Sequence, residues 1–124
     1  MTDQKKQRIK AIFESIKALT QEQKNKLLGK LNISNPEGHT LSGRNQLLLD
    51  RQAAIRDFIT PFTVVAGFRQ WKKAGRHVKK GEFGFLIAVP SRKMNEVVEA
   101  DFEGNLYFFF KTVFDVSQTE ENES

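Results

Sequence analysis

The chain reads as an α+β domain: three to four helices packed on a small, mostly antiparallel sheet with a C-terminal hairpin. Three observations predict this. Apolar residues recur at helical spacing through the first half. From Arg76 onward the period changes to two. Near the end, Glu103-Gly104-Asn105 interrupts two strand-like runs, Val97–Phe102 and Leu106–Val116, which reads as a hairpin.

The elements follow in order. Thr2 and Asp3 can cap a first helix, in which Ile9, Ile12, Phe13, Ile16 and Leu19 form one apolar stripe. Thr20 and Gln23 stand three apart, as in a capping box, and open a second helix with Leu27, Leu28 and Leu31 on its apolar side. Asn32 to Ser42 is rich in turn formers and reads as a loop. Ser42 can cap a third helix through Leu47, Leu48, Ile55 and Phe58, which Pro61 prevents from continuing. A short helix from Gly67 to Ala74 stops at Gly75. Arg76–Lys80 is a strand and Gly81–Gly84 a tight turn. Phe85–Val89 is apolar on both faces, as a central strand would be, and Pro90 closes it. In the last strand Phe108, Phe110, Phe114 and Val116 share a core face. Tyr107, Phe109, Lys111, Val113 and Asp115 share another that a helix or a ligand must cover. Residues 1–119 are read as one domain, and the acidic residues 120–124 as a disordered tail.

Composition bounds the function. A chain of 124 residues can bury a core without staples. Lack of cysteine excludes disulfides, thiolate catalysis and Cys-based zinc sites. No apolar run approaches the ~18–20 residues a membrane helix needs, and the N-terminus lacks a signal-peptide pattern. A cytoplasmic protein with no membrane association is expected. The net charge of +5 is uneven. Residues 1–33 carry +5 and residues 34–94 carry +7, against −7 over residues 95–124. Such a basic body suits an anionic partner.

The charge concentrates between Arg69 and Lys80, where Arg69, Lys72, Lys73, Arg76, Lys79 and Lys80 occur without an acid. Trp71, the only tryptophan, lies among them. Cations line up with phosphates and flat rings stack on bases, so the stretch reads as a patch for single-stranded nucleic acid. Trp71 is a base platform in that reading; it shares a helix face with Phe68, and such a face is more often core. Gly81 and Gly84 would let backbone N–H groups approach a phosphate, or serve the turn alone. Glu82 would orient a neighbouring cation or hydrogen-bond the turn. Arg44 and Asn45 open the third helix; Asn45 and Gln46 could reach bases or hold the preceding loop.

Enzyme signatures are missing. His39 and His77 are far apart and neither lies in H-E-x-x-H. There is no G-x-S-x-G, Walker loop or G-x-G-x-x-G. No catalytic residue, metal ligand or cofactor is expected.

Three blocks carry a family resemblance. They are Ser42-Gly43-Arg44-Asn45-Gln46-Leu47-Leu48-Leu49, the stretch Val65 to Pro90, and Val113-Phe114-Asp115-Val116-Ser117-Gln118-Thr119. In this order the chain resembles the N-terminal single-stranded DNA-binding domain of ArdC-type antirestriction proteins, found on conjugative plasmids, phages and other mobile elements. Leu41 replaces the family's tyrosine, and Phe83 stands where a basic or polar residue is usual. Longer members continue into a metallopeptidase-like domain with H-E-x-x-H, for which no residues here can stand. The resemblance therefore implies DNA binding and not proteolysis. Two alternatives stay open: an inhibitor-like module docking an acidic protein, and RNA binding, which shares the same physics.

Overall fold

The computed structural model describes residues 3–90, 99–100 and 107–123. It contains helices α1 (Asp3–Lys17), α2 (Gln21–Lys30), α3 (Gly43–Ile55) and α4 (Phe68–Lys73). Its strands are β1 (Val65–Ala66), β2 (Arg76–Val78), β3 (Phe85–Pro90), β4 (Glu99–Ala100), β5 (Tyr107–Asp115) and β6 (Thr119–Glu121). A 3₁₀ turn, Val116–Gln118, precedes β6. All named strand pairs are antiparallel, and the α+β class holds.

The N-caps of α2 and α3 work as the sequence suggests, while the cap expected at Thr2 lies outside the described residues. Thr20 and Gln23 exchange side-chain and backbone hydrogen bonds in a capping box. The Ser42 hydroxyl accepts from Asn45 N–H. The end of α3 differs from expectation. Phe58 lies outside the helix, because Asp57 takes a left-handed conformation (φ 54°) where glycine is usual. Phe58 N–H then returns to the Ala53 carbonyl, and its ring stacks on Phe62 and meets the Phe85 edge.

The central strand is β5, not β3. It holds β3 on one side and both β1 and β4 on the other. The pairing of Glu99 with Phe108 and Ala100 with Tyr107 gives the expected hairpin its two strands; its turn at 103–105 lies outside the described residues. So do the side chains of Tyr107, Phe108 and Phe109.

β3 is apolar on both faces although it lies at an edge. The reason is α3, which runs along that edge. Asn45 and Gln52 are seven residues apart, so they project in nearly the same direction. Asn45 donates to and accepts from the backbone of Ala88, at 3.0 and 2.8 Å. Gln52 does the same with Leu86, at 2.7 and 2.8 Å. Two side-chain amides thus take the place of a neighbouring strand. Leu48 and Leu49 flank this amide row by roughly 60° and 40° on opposite sides, at ~100° per residue. Leu48 joins Ile9, Ile12, Phe13, Ile16 and Ala88 in one cluster. Leu49 joins Ile33, Val65, Phe85 and Val113 in another. The second β5 face is therefore covered at Val113 by α3 and its neighbouring loops.

Glu120 and Glu121, expected to open a disordered tail, lie in β6. Asp115, buried to 1 % exposure, accepts from Thr63 N–H, Ser117 N–H and the Ser117 hydroxyl. The chain then turns, and β6 pairs with β2 in the register Arg76–Glu121, His77–Glu120, Val78–Thr119. The backbone ladder and the hydrogen bonds from Arg76 to Thr119 hold the segment despite its low apolar content.

Candidate nucleic-acid interface

α4 is anchored by one residue. Trp71 is 3 % exposed, packs with Ala66 and Phe114, and donates its indole N–H to the Phe114 carbonyl at 3.0 Å. A ring so enclosed cannot stack on a base, which corrects the platform role considered for it. Its burial fixes what the rest of the helix presents. Arg69, Lys72 and Lys73 are exposed, and their charged groups meet no hydrogen-bond or ion-pair partner among the described residues.

α4 packs on β2, and β2 leads into the turn. Lys79 is half-buried and Lys80 exposed; neither ammonium has a partner among the described residues. Gly81 (φ 89°) makes the reversal that other residues rarely adopt, with open space at its Cβ position. Glu82 N–H donates to the Lys79 carbonyl at 3.3 Å.

The remainder of the turn is clamped from two sides. Gln118 donates through Nε2 to the Phe83 carbonyl at 2.8 Å and to Glu82 Oε1 at 3.1 Å. Arg56 donates to the carbonyls of Phe83 and Gly84 at 3.0 and 2.6 Å, with its guanidinium 3.8 Å over the Phe85 ring. Burial, and then the charge of Arg8, pull the Arg56 pKa below its ordinary value, while Glu82 opposes them. Glu82 thus serves the turn through its bond from Gln118 and also favours the nearby Arg56 charge. A Cβ at Gly84 would collide with Thr112 Cγ2 and stand 3.2 Å from Phe114 Cζ. Gly84 is required for close packing.

The other sequence candidates separate. Arg76 is engaged with β6: it donates to Thr119 Oγ1 at 2.7 Å and to the Thr119 carbonyl at 3.2 Å, and lies 3.6 Å from Glu121. Arg44 is half-buried in the first turn of α3, and both amide atoms of Asn45 serve Ala88. That end of α3 lies beside Ala88, four residues along β3 from the turn, or ~13 Å at 3.3 Å per residue. Gln46 holds the preceding loop through Ile33 N–H and the Leu41 carbonyl. The structure therefore brings together Arg69, Lys72, Lys73, Lys79, Lys80 and Gly81, and leaves Arg44, Asn45, Trp71 and Arg76 out.

Two exposed rings were not among the sequence candidates. Phe68 is 62 % and Phe83 77 % exposed. Phe83 carried a signal, an apolar residue between turn glycines. Phe68 did not, since its spacing from Trp71 suggests a shared core face. Among the described residues no group of three or more His, Asp or Glu could hold a metal, and no helix is long and apolar enough to cross a membrane.

Residues 2–123 match the N-terminal domain of anti-restriction factor ArdC. The chain belongs to that family. Two solved structures share the fold, both of the antirestriction ArdC protein from plasmid R388. The Mn(II)-bound form aligns with TM-score 0.58 and 22% identity over 93% of this chain. The metal-free form aligns with TM-score 0.56 and 21% identity over 93%. The chain spans only 39% and 40% of those two proteins. No curated protein matches it. In this ArdC-type domain the family blocks fall on structural joints. Asn45 seals the β3 edge, Asp115 ties the Thr63 backbone to the end of β5, and Gln118 clamps the 81–84 turn.

Proposed function

We propose that this domain binds single-stranded DNA without catalysing a reaction, through Arg69, Lys72 and Lys73 of α4 and Lys79, Lys80 and Gly81 of the β2–β3 connection. The observation that carries the reading is the set of five cations on two adjoining segments whose charged groups have no acidic partner among the described residues. A backbone-tracking surface needs such charge, because phosphates supply most of the sequence-independent affinity. Membership of an antirestriction family favours DNA as the polyanion.

The test is anisotropy of a labelled oligo(dT) of about twelve nucleotides, titrated at several salt concentrations. With four to six phosphates neutralised, log affinity should fall against log salt with a slope of roughly −3 to −4, at about −0.7 per phosphate. Unlabelled single-stranded DNA should compete better than duplex DNA or RNA of the same length. Absence of binding in low salt, or an affinity indifferent to salt, refutes the reading.

A further inference from the structure

We propose that Phe68 and Phe83 are the base-stacking residues of this surface, with Lys111 added to its cations; the proposal rests on the single-stranded DNA reading above. The two rings belong to segments that meet on one buried residue. Phe68 leans on the Phe114 ring with centroids 4.6 Å apart. The Phe83–Gly84 segment closes on the same ring, since a Cβ at Gly84 would stand 3.2 Å from Phe114 Cζ. Phe114 itself is 3 % exposed, so it supports the Phe68 ring from beneath and packs against the backbone at Gly84, next to Phe83.

β5 adds one cation at the margin, from its face opposite Phe114. A Cβ at Gly67 would lie 3.4 Å from Lys111 Cε, which places that exposed lysine beside the start of α4. Arg69 follows Phe68 directly, and Lys72 lies one helical turn beyond it. Lys79 and Lys80 lead into the turn that carries Phe83. Aromatic rings bordered by cations match a polyanion with flat faces, and single-stranded DNA offers both. An apolar protein partner would not call for the charge.

The turn also holds Phe83 ready. Its carbonyl receives hydrogen bonds from Arg56 and Gln118. The backbone under the ring is therefore fixed before any strand arrives, which lowers the ordering cost of binding. Exposure of a phenylalanine on so rigid a support has no use in packing.

The experiment compares oligo(dT) with an abasic sugar-phosphate oligomer of equal length. The proteins are the wild type, Phe83→Ala, Phe68→Leu and the double variant. Leucine at 68 keeps apolar cover over Phe114 while removing the flat ring. Phe83→Ala removes little buried area and stands alone if the 68 variant misfolds. The wild type should prefer oligo(dT) strongly. Each substitution should lower oligo(dT) affinity by about fivefold or more, leave abasic affinity unchanged and leave the salt slope unchanged. Equal wild-type affinity for the two strands, or variants that keep the preference, overturns the stacking role while the DNA-binding reading survives. A wild-type dimer that the substitutions dissociate, with oligo(dT) affinity intact, overturns it in favour of self-association. Failure of the wild type to bind either strand refutes both readings.

Discussion

Along the β3 edge, the polar side chains that α3 supplies are turned inward and matched to backbone atoms one for one. Across α4 and the lysines that lead into the 81–84 turn, cationic side chains stand in solvent instead. Asn45 and Gln52 each satisfy an N–H and a carbonyl. Arg69, Lys72, Lys73 and Lys80 are exposed, and their charged groups contact nothing polar among the described residues. The first region is complete as folded. The second leaves its cationic donors in solvent without acidic partners among the described residues, which is the charge pattern the proposed DNA-binding surface rests on. Membership in a sequence motif does not separate the two, since both lie in family blocks. Exposure and hydrogen-bond satisfaction do.

Trp71 offers the largest test of that division. It sits within the cationic stretch yet belongs with the buried region. Trp71→Ala should cost about 3–5 kcal/mol of folding stability, measured by urea denaturation, with unchanged oligonucleotide affinity per folded molecule. The emission of this only indole should be blue-shifted and indifferent to added oligo(dT). Strong quenching by the strand would move Trp71 to the other side of the comparison.

The β3 edge comes next. Asn45→Ala leaves the Ala88 N–H and carbonyl without their partner, and Gln52→Ala does so at Leu86. Each should cost about 1–3 kcal/mol, the penalty of an unsatisfied buried polar group. Hydrogen exchange should accelerate at the amides of Leu86 and Ala88, and DNA affinity should stay as it was. A loss of affinity without a loss of stability in Asn45→Ala would return that residue to the binding surface.

Much of the architecture was legible in the sequence because local signals carry it. The capping box at Thr20, the cap at Ser42 and the stop at Gly75 each lie within a few residues of the element they bound. What stayed hidden depends on pairs remote in sequence. Phe85–Val89 looks central because both faces are apolar, but periodicity cannot reveal that side-chain amides from α3 replace one neighbour. The acidic end looks disordered by composition, while its order comes from Arg76 and the β2 ladder more than forty residues earlier. For the site, the cations were readable as a run. Which aromatic they accompany was not, because Phe68 and Trp71 differ only in which side of α4 the sheet covers.

The cations themselves give a smaller, sharper effect. Lys79→Ala with Lys80→Ala should make the salt slope shallower by about 1 to 1.5, at ~0.7 for each lost phosphate contact. Affinity should fall evenly for all sequences, since phosphate contacts carry no base information. Lys26→Ala with Lys30→Ala, on the exposed part of α2, is the control. If both pairs change the slope alike, the domain binds through diffuse charge and the two regions do not differ in kind.

The smallest effect concerns the place where the cationic stretch meets acidic residues of its own chain. β6 sets Glu120 and Glu121 against His77 and Arg76, at 3.5 and 3.6 Å, so the cationic strand already faces carboxylates of its own chain. Those carboxylates are 60% and 85% exposed, and their ion pairs contribute little to stability. Glu120→Gln with Glu121→Gln should therefore change stability by less than about 1 kcal/mol. The backbone pairing of β2 with β6 and the bonds from Arg76 to Thr119 do not depend on charge, so the strand should stay in place. Removing two negative charges beside the cations should raise single-strand affinity a few-fold in low salt, and the gain should vanish as salt screens it. Unchanged affinity in low salt would mean that the DNA path avoids β2 and runs only over α4 and the turn. A gain that persists in high salt would mean that β6 moves to admit the strand, and Arg76 would then join the binding surface.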